Sequence, residues 1–212
     1  MTAMLCCGGV EVSQKLVHVG MSEACVRAIA SYQDEGDVNL AGLNLLERML
    51  LGEGATASSD VAERIVSSKG LEALHQCLKS FTPAVVSSQH RDSTEHVATE
   101  VGALWLSLTI LKAIMSSKIG GREAADLFMS CRGGSIKYTL SDLLRAGIPE
   151  QVRKAAAALL LCILAHSSDL SRKLKGTPLM DDLTSTITVF AGDSEMAEWT
   201  AGALTHLDQV GS

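Results

Sequence analysis

The sequence predicts an all-α chain, and three observations carry that prediction. Hydrophobic residues make up 47% of the 212 positions but aromatics only 3%, a balance that suits Ala- and Leu-rich helices and not the Val, Ile, Thr and aromatic runs of sandwiches and barrels. Three prolines stand against 18 glycines, so helix interiors are spared while glycine marks where helices end. Apolar residues return at helical spacing, as at Leu71, Leu74 and Leu78, and a three-phrase pattern recurs four times along the chain.

The first phrase is a short amphipathic segment ending in glycine: EVSQKLVHVG, DVAERIVSSKG, REAADLFMSCRGG and DLSRKLKG. Their glycines, Gly20, Gly70, Gly134 and Gly176, are expected to take positive φ and turn the chain into a second helix. The second helices are MSEACVRAIASY, LEALHQCLKSF, SIKYTLSDLLRA and TPLMDDLTSTITVF. A polar break then leads to a longer, more apolar third helix: DVNLAGLNLLERMLL, STEHVATEVGALWLSLTILKAIM, EQVRKAAAALLLCILAHSS and SEMAEWTAGALTHLDQ. Each third helix holds small residues, at Ala41 and Gly42, Gly102 and Ala103, Ala155 to Ala158, and Ala201 to Ala203, where a neighbouring helix can approach closely. The glycine anchors lie 50, 64 and 42 residues apart. Two polar stretches explain the irregularity: Gly52 to Ser59 at the first junction, and Thr82 to Ser93, read as a mobile insertion between second and third helices.

This order of phrases resembles armadillo repeats and, more loosely, HEAT repeats, over almost the whole chain. KGLEALHQCLKS (residues 69–80) resembles the armadillo second helix with its leading glycine, and VGALWLSLTI (101–110) the third. The resemblance implies one domain over residues 1–212, a right-handed superhelix of about four three-helix units. Residues 1–7 are read as the remnant of a preceding unit, and the units as 8–53, 59–117 with the insertion at 82–93, 121–168 and 169–209.

The resemblance also implies a concave surface made by the third helices. Peptide-binding armadillo proteins present there a Trp and, four residues on, an Asn from successive units. In this chain those places hold Asn44 and Arg48, Trp105 and Thr109, Ala158 and Cys162, and Gly202 and His206. No unit has both residues, so the expected ligand is a protein segment other than an import signal, held as a peptide or a helix. Asn44, Arg48, Trp105, Thr109 and His206 are expected along one side of the domain, with Glu47, Lys112, Cys162 and His166 in the same protein-binding stripe. Trp105 has two readings: a partner anchor, or a core residue flanked by Leu104, Leu106 and Leu108.

Other chemistries find little support in the sequence. A net charge of -6 argues against nucleic acid, which needs a concentrated basic surface and stacking aromatics. No metal or other cofactor is expected: His75 with Cys77 and Cys162 with His166 are the helix-spaced pairs, and only the second shares a face, two ligands where a structural zinc takes four. Cys131, beside Arg132, Gly133 and Gly134, has the sequence setting of an activated thiol or a phosphate cradle, but the repeat junction needs the same residues. The basic runs at 153–154 and 172–175 could meet an acidic segment or be an ordinary solvated face. Six cysteines without a CxxC pair point to a reducing intracellular compartment, cytoplasmic or nuclear. No membrane insertion is expected, since no uncharged apolar run reaches about 18 residues.

At the N-terminal end, Met4 and Leu5 and the apolar positions in 16–19 are expected to lack covering helices, and so to pack against another chain or a longer N-terminal extension. The functional expectation is a scaffold or adaptor that holds proteins and performs no chemistry. The rival classes are a structural subunit of a large assembly and a helical enzyme or cofactor-binding bundle, which would need polar groups converging in a closed pocket.

Overall fold

A computed structural model of the chain describes residues 15–52, 59–87, 94–117, 121–166 and 168–201, apart from 195, 198 and 199. Every regular element among them is helical. In chain order they are α1 (Met21–Ser31), α2 (Gly36–Leu51), α3 (Ser59–Ser67), α4 (Gly70–Ser87), α5 (Thr94–Met115) and α6 (Gly121–Ser130), then a 3-10 turn (Cys131–Gly134), α7 (Ile136–Leu144), α8 (Glu150–His166), α9 (Ser168–Leu174) and α10 (Pro178–Val189).

Local chemistry sets several boundaries. Pro178 opens α10, where its fixed φ fits and its missing N–H would have had no partner in any case. Acidic residues sit in the first turns of α1 (Glu23), α2 (Asp37), α3 (Asp60) and α8 (Glu150), facing the positive end of the helix dipole. Helix α3 shows plain amphipathicity: Val61, Ala62 and Ile65 are buried while Asp60 and Glu63 face solvent. In α8 the nine consecutive residues from Ala156 to Leu164 are all buried, as expected of a helix that is apolar on every side and enclosed by others.

The enclosing pattern has two layers. Helices α2, α5 and α8 pack side by side in that order, and α1, α4, α7 and α10 form a second row. The rows join through the pairs α1 with α2, α4 with α5, and α7 with α8, while the short helices α3, α6 and α9 fill the junctions. Gly42 and Gly102 allow the close approaches: a Cβ on Gly42 would lie 3.1 Å from the Ile29 side chain of α1, and one on Gly102 would lie 3.2 Å from Leu40 of α2. The segment Ala98–Met115 is the one stretch, among the described residues, long and apolar enough to cross a bilayer, with a mean hydropathy of 1.4. It contains Glu100 and Lys112 and is the central helix of its layer, with Ala103, Leu104, Leu108, Ile110 and Leu111 completely enclosed.

Several expectations need correction. Residues 82–87 are not a polar loop: α4 continues through Pro83 to Ser87, with Thr82 and Val85 buried. The apolar spacing of Leu74 and Leu78 runs on through Phe81 and Val85, and the Thr82 hydroxyl donates to the Leu78 carbonyl at 2.6 Å, so burial outweighs the lost proline N–H. The rest of that stretch, 88–93, lies outside the described residues, as do 53–58 of the first junction, where Ser59 already belongs to α3. Gly20, Gly134 and Gly176 take positive φ, but at the α3–α4 junction the left-handed residue is Lys69 (φ 65°) and Gly70 begins the helix. Of the positions expected bare in 16–19, Val17 is buried and Leu16 packs against the core, whereas Val19 is 74% exposed. Met4 and Leu5 lie outside the described residues.

Candidate functional site

Between α5 and α8 the layer of long helices opens into a groove of about 270 Å³. One wall is a stripe of α5, Trp105, Thr109 and Lys112, with Leu108 below it; the other is Gln151, Lys154, Ala155 and Ala158 of α8, and Asp193 and Met196 close the end. The stripes follow helix geometry, since residues three and four apart share a face. Trp105 is 40% exposed, so it is neither a core residue nor fully presented. Its ring stands beside space left by the two alanines. Of the small residues at 155–158, Ala156 and Ala157 are fully enclosed, while Ala155 and Ala158 also line the groove.

Electrostatic contacts fix the far wall. Lys154 donates to Glu150 at 2.9 Å and to Asp193 at 3.0 Å, tying the segment after α10 back onto α8. Those hydrogen bonds, Glu150 first and Asp193 second, hold its ammonium above the usual lysine range. Lys154 and Arg153 also stand over the Phe190 ring, at 5.1 and 5.3 Å from its centre, and Arg153 donates to the Leu144 carbonyl at 3.3 Å. Asp193 accepts the Met196 N–H at 3.2 Å, fixing the start of the following helical turn. The second basic run is likewise satisfied locally: Lys173 and Arg172 pair with Asp169 at 2.7 and 3.9 Å. Lys154 is thus neutralised within the chain, and Asp169 offsets one charge of the second run.

Of the expected stripe, Trp105, Thr109 and Lys112 come together in the groove, whereas Asn44, Glu47, Arg48, Cys162 and His166 do not line it. Asn44, Glu47 and Arg48 are half-buried on α2, across α5 from the groove, and Asn44 donates its amide to Leu40 of its own helix at 2.8 Å. Cys162 is fully buried, so it cannot touch a partner; its thiol lies 3.4 Å from the Ser116 hydroxyl. His166 is half-buried at the end of α8 and does not line the groove. His206 lies outside the described residues. Gln151, Asp193 and Met196 were not anticipated. Gln151 was within reach, because it sits four and seven residues before the alanines that face the groove. Asp193 and Met196 carry no comparable signal, since they meet the groove only through the chain's return past α8.

Among the described residues no group of three or more His, Cys, Asp or Glu side chains converges as a metal site would require. His75 is buried, its ring edge-on to Phe128 with centroids 6.2 Å apart and its Nε2 3.4 Å from the Ser135 hydroxyl. Cys77 lies instead against Ser107, which donates to its sulfur at 3.3 Å. Burial pushes the thiols of Cys25 and Cys77 up to about 11 and raises that of Cys162, while Cys131 is half-exposed. Iodoacetamide at pH 8 is therefore expected to modify Cys131 in the native protein and to leave Cys25, Cys77 and Cys162 unmodified until urea is added. Peptide mass mapping checks this; native labelling of Cys77 at the Cys131 rate would contradict the packing described.

Comparisons of this chain with protein-family models, with curated proteins and with solved structures find no match.

Proposed function

We propose that the chain is an armadillo-like solenoid, a right-handed superhelix of about four three-helix units, that holds a segment of another protein in the groove between α5 and α8. Two stacked rows of helices with short helices at the junctions support the solenoid reading. The observation that carries the binding reading is Trp105, 40% exposed on the wall of a groove that combines the apolar Leu108, Ala155 and Met196 with the polar Thr109, Gln151 and Lys112. A half-buried tryptophan offers a large rigid surface at low entropic cost. The nearby hydroxyl, amide and ammonium supply hydrogen bonds to a backbone or to polar side chains. The function is one of holding, without chemistry, in a reducing intracellular compartment; the described cysteines are free thiols.

The test is a photo-crosslinking amino acid placed at Gln151 in the full chain, expressed in its native cell. A stoichiometric adduct is expected, and Trp105→Ala should weaken capture about tenfold or more, in line with the ~2 kcal/mol typical of an interfacial tryptophan. Capture that is equally strong with Trp105→Ala would place the partner elsewhere.

A further inference from the structure

A second cleft, independent of the groove just described, lies between the junction helices α3 and α6. Both pack on α4 and α5, and between them a space of about 340 Å³ is lined by Ala62 and Val66 from α3, and by Ala124 and Leu127 from α6. Ile114 and Ser117, near the end of α5, form its floor. The interior is apolar: Ala62, Ile114 and Ala124 are almost wholly enclosed, and Leu127 at the mouth is 53% exposed. The remaining lining residues are two carboxylates, Glu63 on the α3 side and Glu123 on the α6 side, both exposed. Neither forms an ion pair with a described residue, and the neighbouring Arg64 is taken by Glu23 at 3.2 Å and Asp60 at 3.4 Å.

An apolar cleft flanked by two carboxylates that pair with no cation among the described residues defines its occupant. We propose that the cleft between α3 and α6 is a docking site for a basic apolar segment of a partner protein, with a leucine-sized side chain on the floor and a lysine or arginine on each side reaching Glu63 and Glu123. Desolvation of Leu127 and of the half-buried Val66 supplies the attraction, and the carboxylates select against acidic segments. A second copy of this chain, at net charge -6, would bring like charge to the cleft. An anionic membrane surface or nucleic acid would do the same.

In an extended segment residues two apart share a face, so the probe is the acetylated, amidated peptide Gly-Lys-Ser-Leu-Ser-Lys-Gly, titrated into the full 15N-labelled chain. Saturable amide shifts are expected at Ala62, Val66, Ser117, Ala124 and Leu127. The double variant Glu63→Gln, Glu123→Gln should weaken binding about tenfold, and Leu127→Ser should weaken it further. Glu72→Gln, which removes an exposed carboxylate on α4, should change it less than about twofold, and a probe with glutamate in place of both lysines should not bind. All four substitutions lie on the surface, and unchanged amide spectra away from the cleft show that each variant is folded. The proposal is overturned by shifts scattered over the acidic surface, by an equal loss with Glu72→Gln, by equal binding of the glutamate probe, or by no saturation at millimolar peptide.

Discussion

Gly70→Ala is expected to destabilise the protein by about 3 kcal/mol, although it adds one methyl group. Gly70 is buried at the start of α4, where the chain folds back on α3, and a Cβ there would overlap the Ile65 side chain and lie 2.5 Å from the Ile65 carbonyl oxygen. Backbone cannot rotate away as a side chain tip can. Ile65 is itself completely enclosed, and the turn is closed by Lys69 N–H to Val66 at 3.2 Å and Ala73 N–H to Lys69 at 3.2 Å. Relief of the overlap must therefore open the junction between α3 and α4. The neighbouring position gives a control of opposite sign. Lys69 holds φ 65°, which costs a residue with a side chain about 1 kcal/mol or more, so Lys69→Gly is expected to stabilise by about that amount. Urea unfolding followed by circular dichroism measures both; Gly70→Ala within about 0.5 kcal/mol of the parent chain would refute the close approach.

Asn39→Asp is expected to be the more damaging of two substitutions at one buried position. Asn39 is fully enclosed, and its Nδ2 donates to the carbonyls of Tyr32 at 2.7 Å, Glu35 at 3.0 Å and Gln33 at 3.3 Å, binding the end of α1 to the start of α2. Its Oδ1 is buried without a hydrogen-bond partner. Alanine would remove the donor shared by three carbonyls, a loss of about 2 kcal/mol. Aspartate keeps the shape but sets an anion against the same oxygens, so at pH 7 the loss should exceed that of alanine. The pH dependence has a definite sign. Burial and the facing carbonyls raise the folded-state pKa of an aspartate here above its unfolded value, so the penalty is full above the raised pKa and fades as pH falls below it. The gap between the two variants should accordingly narrow from pH 7 to pH 4. An aspartate variant as stable as the parent would mean that this amide presents its oxygen, not its nitrogen, to donors.

Much of the helical organisation was legible because it depends on spacing. Apolar periodicity located the helices, and the run of buried residues in α8 follows from a sequence with nothing polar between Ala155 and Ala165 except Cys162. The same reasoning failed at Thr82 to Ser87, where Thr, Pro and Ser suggested a loop although Phe81 and Val85 continued the apolar stripe. There the burial of one helix face outweighed the local preference of individual residues. It also misassigned Cys162. Alignment on a small residue placed it on the exposed face, but the α8 surface that meets Ser116 of α5 turns it inward.

The candidate groove was legible by half. Trp105, Thr109 and Lys112 share a helix face by spacing alone, whereas Asp193 and Met196 meet it only because α10 leads the chain back past α8. By itself the sequence determined the all-α class, the positions of most of the described helices, and the acidic, cysteine-rich composition of the chain. Each of these rests on composition or on spacing within one helix. Tertiary structure decided which faces stay open: the groove beside Trp105, the acidic cleft at Leu127, and the exchange of roles between Lys69 and Gly70. Those depend on the distance between helices far apart in sequence, which side-chain volumes on both partners set together and no single segment encodes.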